Sequence, residues 1–240
     1  MTVTGRLSEL ASDQSELSGP ELLPVRLARA CTAVLPVAAA GLSMYSSNDF
    51  RVPIGASDDM AADAERLQFT VGEGPCLAAH AEARIISATE ADMERLWPRF
   101  HHELRKGSTY RSIISVPLSH ELHGIAALDL YLSDPTADLH VDESVFIAVA
   151  HTVTRHLLDH PHQGDPTDGG GPAWLDSPAA RRRSTVWGAI GMINVGLRLS
   201  TVDALAVLRG YSYSHDTTVD ELAELLVSRE LPVDALFQDS

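Results

Sequence analysis

Four residues within seven, Arg209, Tyr211, Tyr213 and His215, bring together a guanidinium, two phenols and an imidazole. Such groups stack on unpaired bases and reach base edges and phosphate, which is how RNA loops are read. On a helix, residues four apart share a face, so Arg209 and Tyr213 can act together while Tyr211 lies elsewhere. Tyr213 has an equally good reading as a core aromatic with its hydroxyl at the surface. The run Arg181 to Arg183 has the charge to grip phosphate, and also the look of a solvated helix face. Thiol chemistry centres on Cys76, in the run Gly72-Glu73-Gly74-Pro75-Cys76. That run lacks the Lys and Ser or Thr of a phosphate loop and does not meet the GxGxxG pattern, so it reads as a turn into a helix. In a first helical turn the dipole favours thiolate, which makes Cys76 a candidate redox switch. The alternative is a buried cysteine behaving as a small hydrophobe.

Other chemistries find less support. Eleven histidines include His101 with His102 and His151 with His156, but none has HExxH or paired Cys and His spacing, so no metal site is assigned. The carboxylate neighbours Asp58 and Asp59, Glu90 and Asp92, and Asp220 and Glu221 carry no sign of a shared cleft. No GxSxG nucleophile motif occurs. The residues give no positive case for an enzyme, and no cofactor is implied. A formal charge of -15 argues against general nucleic-acid affinity, and DNA is not an expected partner. Its distribution matters more: from Ser177 onward six arginines face eight acidic residues, so most of the acidity belongs to the first part.

The elements that must hold these residues divide at the stretch Asp159 to Pro172, which is rich in Pro and Gly and reads as a joint. Before it, helical spacing runs over Glu21 to Leu35 and Asp142 to Leu158, and strands are expected at 38–45, 84–87, 112–118 and 124–132, the last two joined by a turn at 119–123. After it the pattern is helical only, with a Ser177 and Pro178 start and capping signatures at Ser200 and Thr218 that open helices at about 201–214 and 218–230. The expected fold class is α+β: a flexible N-terminus (1–19), a helix-flanked antiparallel sheet domain (20–158), a linker (159–176), a small three-helix bundle (177–231) and a tail (232–240). No apolar run reaches the roughly 18 residues of a membrane span and no secretory signal is evident, so a cytoplasmic protein without a membrane partner is expected.

The run VWGAIGMINVGLRLSTVDALAVLRGYSYSHDTTVDELAELLV, Val186 to Val227, resembles an ANTAR domain, the three-helix RNA-binding module of bacterial transcription antiterminators. Ala189 and Gly191 fall on its Ala-x-Gly, Ala204 with Leu208 and Arg209 on the second-helix pattern, and Ala223 on the small residue of the third helix. Asn194 departs from it, standing where the family usually has methionine. The resemblance implies RNA hairpins as partners and Ala189, Gly191, Asn194, Ala204, Arg209 and Tyr213 as the RNA-binding set. Periodicity alone points Gly188 and Gly191 off the core stripe, toward either RNA or a neighbouring helix. The runs FTVGEGPCLAAH and RSIISVPLSHELHGIAALDLY resemble a GAF domain of the actinobacterial kind. That resemblance implies an antiparallel sensor fold that binds a small molecule or dimerises, any pocket being walled by the helix after Pro75 and a loop at 88–110. The expectation is a homodimeric antitermination regulator with an unnamed ligand or redox signal. Its rivals are a GAF-type redox enzyme using Cys76, with Cys31 the one resolving thiol available, and a dimerising module without RNA binding.

Overall fold

The computed structural model describes residues 2–45, 51–118, 122, 126–137, 141–159 and 172–237. In chain order these form α1 (Val3–Ser12), α2 (Leu23–Val34), β1 (Ala39–Tyr45), β2 (Arg51–Ala56), α3 (Asp59–Val71), α4 (Pro75–Glu82), β3 (Ile86–Ala88), α5 (Glu90–Leu96), α6 (Pro98–Gly107), β4 (Ser112–Pro117), β5 (Ala126–Leu132), α7 (Glu143–Asp159), α8 (Pro178–Leu197), α9 (Thr201–Ser214) and α10 (Val219–Val227). The class is α+β, with a five-stranded antiparallel sheet in the order β2-β1-β5-β4-β3.

Strand alternation gives the sheet two unlike faces. One presents Ala40, Leu42, Ile114, Val116, Leu128 and Leu130, which bury against α1, α2 and α7 through Leu7, Leu27, Val149 and Val153. The other presents Ala39, Ile113 and Tyr131 to α3, α5 and α6, where Met93, Phe100 and Leu104 close the layer. In the middle of this second face the sequence places Ser43, Arg51, Ser115 and Asp129, all buried. Strand β2 forms an edge, the position at which its Pro53 costs no ladder hydrogen bond.

Several expectations change. Residues 1–19 are not a free end: Thr2 caps α1, and Leu7 and Ala11, one turn apart, bury against α2 and α7. Helix α1 thereby covers part of the two helices expected to offer dimer surfaces, although Ile147 and Leu158 of α7 stay exposed. The expected loop at 88–110 is two helices, α5 opened by a Thr89 and Asp92 capping box and α6 by Pro98 in its first turn. The linker proper lies outside the described residues, but its expected end is a short 3-10 turn, Ala173–Asp176, pinned by Trp174, whose Nε1 donates to the Leu157 carbonyl at 3.0 Å. The tail makes a similar turn, Val233–Phe237, and buries Leu236. Of the turn expected at 119–123, all but Leu122 lies outside the described residues. Among the described residues no single helix is long and apolar enough to cross a membrane.

Candidate functional site

Two helices, α8 and α9, carry the residues singled out for RNA, and α10 packs with them. Ser177, Ser200 and Thr218 each cap one of the three, accepting from the N–H of Ala180, Asp203 and Glu221 respectively. Their apolar stripes meet in one core that includes Val186, Ile190, Ile193, Leu208, Leu222 and Leu226. Ala189 and Ala204 belong to that core and have no exposed surface. Neither can touch RNA; their small size serves close helix packing, because Ala189 lies on the same stripe as Val186 and Ile193. Gly191 does face open space, with nothing within 4 Å of where a Cβ would stand, whereas a Cβ on Gly188 would rest 3.5 Å from Val227 of α10. Asn194 is half-buried and donates to Thr201 Oγ1 at 3.2 Å, tying the end of α8 to the start of α9.

The Arg209 run divides as its spacing requires. Tyr211 and His215 stack on each other, with ring centroids 3.8 Å apart. Arg209 and Tyr213 share the opposite side and line a cleft of about 470 Å³ with Val202, Ala206 and Gly210 of α9, Val71 of α3 and Arg99 of α6. Glu73 sets the far wall, accepting the backbone N–H groups of Arg99 and Phe100 at 2.7 and 3.1 Å, and the Arg99 guanidinium then sits 5.8 Å from the Tyr213 ring centroid. Arg209 also ties α9 to α3, its Nε donating to the Phe69 carbonyl at 2.9 Å. Gly72 ends α3 in the left-handed region, at φ 72°, and a Cβ there would press within 3.1 Å of the Arg209 guanidinium.

Helix α3 therefore joins two environments. Phe69 and Thr70 face the bundle: Phe69 lies in the bundle core, and Thr70 Oγ1 accepts from the Val219 N–H at 3.3 Å. The Phe69 ring is flanked by Arg183, 3.6 Å from its centroid, and Arg209, at 5.1 Å. Of the arginine run, Arg181 and Arg182 are exposed and Arg183 is 1% exposed, paired through Nη2 with Asp220 Oδ2 at 3.2 Å. Buried in this way, Arg183 is not part of a solvated helix face.

Glu65 and Gln68, on the other side of α3, reach the polar centre of the sheet. Arg51 lies between them and the strands: Nε donates to Ser43 Oγ at 3.1 Å and to Cys76 Sγ at 3.3 Å, Nη1 to the Glu65 carbonyl at 2.6 Å, and Nη2 to Glu65 Oε2 and to Asp129 Oδ2 at 3.1 Å. Tyr131 donates to Glu65 Oε1 at 2.6 Å, and Gln68 bridges Asp129 to the Cys76 N–H. A Cβ on Gly41 would collide with the Glu65 carboxyl, so this strand position must be bare. Two carboxylates and one guanidinium share this closed space, and burial pushes Glu65 up to about 8 against the pull of Arg51.

Cys76 does start a helix, but its side chain is fully buried beneath this network, with the Tyr45 hydroxyl 3.0 Å from Sγ. Burial pushes the thiol up to about 12, outweighing both the helix dipole and Arg51. Cys31 sits in the apolar core against the opposite face of the sheet and is pushed to about 12 by burial alone. The two thiols are thus separated by the sheet. The expected pocket wall at α4 is instead packed, Tyr45 stacking on His80 with centroids 3.6 Å apart. Sequence spacing pointed to neither Arg51, Glu65 and Asp129 nor the pairing of Arg183 with Phe69. Among the described residues no group of three His, Cys, Asp or Glu side chains comes together to hold a metal ion.

No protein-family model matches the chain, and no curated protein sequence is similar enough to count as a match. Solved structures do resemble it. One is the GAF domain of a phosphoenolpyruvate-protein phosphotransferase from Coxiella burnetii, 13% identical over 65% of this chain and 93% of that one, with TM-score 0.48. The corresponding GAF domain from Acinetobacter is 10% identical over 68% and 96%, with TM-score 0.47. A free methionine-R-sulfoxide reductase from Neisseria meningitidis, solved with its substrate, is 16% identical over 64% and 87%, with TM-score 0.46.

Proposed function

We propose that this chain is an RNA-binding regulator of transcription antitermination, in which an N-terminal GAF-type sensor controls a C-terminal ANTAR-type bundle that binds RNA hairpins as a homodimer. The observation that carries the reading is the α9 cleft, where a half-exposed Tyr213, the cations Arg209 and Arg99, and a floor of small residues share one side of the bundle. An aromatic ring beside guanidinium groups is what an unpaired base and its phosphate require. The open Gly191 of α8 adds a second place where a backbone can approach. Arg209 is held by Phe69 of the sensor, so RNA engagement and sensor docking draw on the same side chain. A signal that loosens α3 from the bundle frees Arg209, and shifts the balance only by its differential affinity for the two states.

The test is a titration of the full chain against a two-hairpin RNA and a scrambled control at fixed near-physiological salt. Tyr213→Ala is the informative variant, because this ring is 52% exposed and its loss spares the core. The hairpins should bind in preference to the control, and the variant should weaken them about five- to a hundredfold, as expected for one stacked base. Equal binding of hairpin and control, or an unchanged affinity in the variant, would overturn the assignment.

A further inference from the structure

A second cleft, of about 200 Å³, opens where α2, β2 and α3 meet the start of α8. Arg183, 1% exposed, lines it together with the fully buried Glu65. The Arg183 guanidinium carbon lies over the Phe69 ring, 3.6 Å from its centroid, a contact that satisfies none of its N–H donors. Nη2 has Asp220, but Nε and Nη1 are buried without any hydrogen-bond partner among the described residues. Orphaned donors on a buried cation are costly, and native structures rarely leave them unless something else fills the site. Burial pulls Arg183 down to about 10; Asp220 opposes this, while Arg51, Arg209 and Arg66 add to the depression. Four arginines line the cleft, Arg29, Arg66, Arg182 and Arg183, and burial holds the Glu65 carboxyl among them up at about 8. Val25, Ile54 and Ala62 supply an apolar wall, with Arg182 at the mouth.

We propose that this cleft binds a small oxyanion-bearing molecule, a carboxylate or phosphate, whose acid group takes the free N–H edge of Arg183. The carboxylates on its lining limit what else the ligand carries. Glu65 is committed to Arg51 and Tyr131; Asp220 is ion-paired with Arg183 but its Oδ2 lacks a hydrogen bond among the described residues, and Asp58 and Asp59 stand exposed at the rim. The ligand therefore enters acid group first, with a neutral or cationic outer end. Because the lining comes from both the sheet domain and α8, an occupant binds the docked arrangement and stabilises it over any form in which the bundle has swung away. Within the RNA-regulator reading such a ligand would hold Arg209 on Phe69, but the site itself does not depend on that reading.

The experiment uses the full chain without RNA and inorganic phosphate as probe, read by calorimetric titration and by thermal unfolding against sodium chloride at equal ionic strength. Phosphate should bind saturably and raise the unfolding midpoint above the chloride control. Arg183→Met should weaken binding about ten- to a hundredfold, as expected for lost charge-assisted hydrogen bonds. Ala62→Leu, which fills the cleft without touching Arg183, should weaken it comparably while the midpoint in chloride shows the variant folded. A phosphate response no greater than that to chloride, or binding retained by either variant, would overturn the site. Neither outcome depends on whether the chain binds RNA, so the two readings fail separately.

Discussion

Two arginines of this chain are equally buried and differently served. Arg51, on the sheet, has no exposed surface and commits all three of its nitrogens, to Ser43, Cys76, Glu65 and Asp129. Arg183, at the junction with the bundle, is 1% exposed, has one ion pair, and leaves Nε and Nη1 without partners. Burial of a charge is repaid only when its hydrogen bonds are complete. The first site thus serves its cation completely and fixes α3 on the sheet, although Asp129 Oδ1 and Ser115 Oγ beside it are buried without partners among the described residues. The second is unfinished, and an unfinished polar site is where a ligand or a movement can act.

The largest effect should come from breaking the network around Arg51. Arg51→Met strands the buried Asp129 carboxylate, removes a donor from Glu65 and is expected to lower stability by about 3–5 kcal/mol in chemical denaturation. Arg183→Met strands the single carboxylate of Asp220, which already lacks a hydrogen bond on Oδ2 among the described residues, and should cost less, about 1–3 kcal/mol in the absence of ligand. Methionine keeps contact with Phe69, and the stranded Asp220 lies in the first turn of α10, where the helix dipole favours it. Equal losses for the two variants would break the comparison and mean that Arg183 is as well served as Arg51.

A smaller effect follows from the proton on Glu65. Its ordinary value is 4.5 and the folded value about 8, so between the two the folded chain holds a proton that the unfolded chain has released. The stability this confers is complete below 4.5 and is lost progressively as the pH rises to and through about 8. The slope is at most about 1.4 kcal/mol per pH unit over that interval. Glu65→Gln keeps the shape without the titration, and its unfolding midpoint should be flatter than that of the wild type across the same window. Parallel profiles would show Glu65 ionised throughout, and the sheet network carrying an uncompensated charge of its own.

The same contrast explains what could be read from the sequence. The bundle was legible because Ser177, Ser200 and Thr218 announce three helix starts and the apolar residues keep helical spacing between them. Strands β1, β4 and β5 were legible as short apolar runs, but β2 was not, since Pro53 and Gly55 suppress its signal and only an edge position tolerates them. Helix α3 escaped because its inward positions are Glu65 and Gln68: the polar network erases the stripe that would have revealed the helix. The Thr89 and Asp92 capping box and Pro98 were available signals for α5 and α6. Spacing placed Arg209 and Tyr213 on one side of α9, yet no local pattern says that Phe69, 140 residues away in sequence, will accept from Arg209. Ala189 and Ala204 show the converse, since a small residue fits a helix contact as well as an RNA surface.

The smallest effect tests whether the network around Arg51 is closed to solvent. Cys76 and Cys31 are both fully buried, but Cys76 touches Arg51, Tyr45 and Ser43, whereas Cys31 lies among aliphatic side chains. A nearby guanidinium favours thiolate, so if water reached the network Cys76 would be the more reactive of the two. Burial prevails instead, holding both thiols at about 12. Native-state labelling with iodoacetamide at pH 7 should modify both slowly, each far more slowly than a small free thiol and with rates set by opening of the fold. The Cys76 rate should rise only in Arg51→Met, where the lid on the thiol is lost. Fast labelling of Cys76 in the wild type would mean that the sheet network opens as readily as the junction does, and would restore Cys76 as the residue through which a redox signal enters.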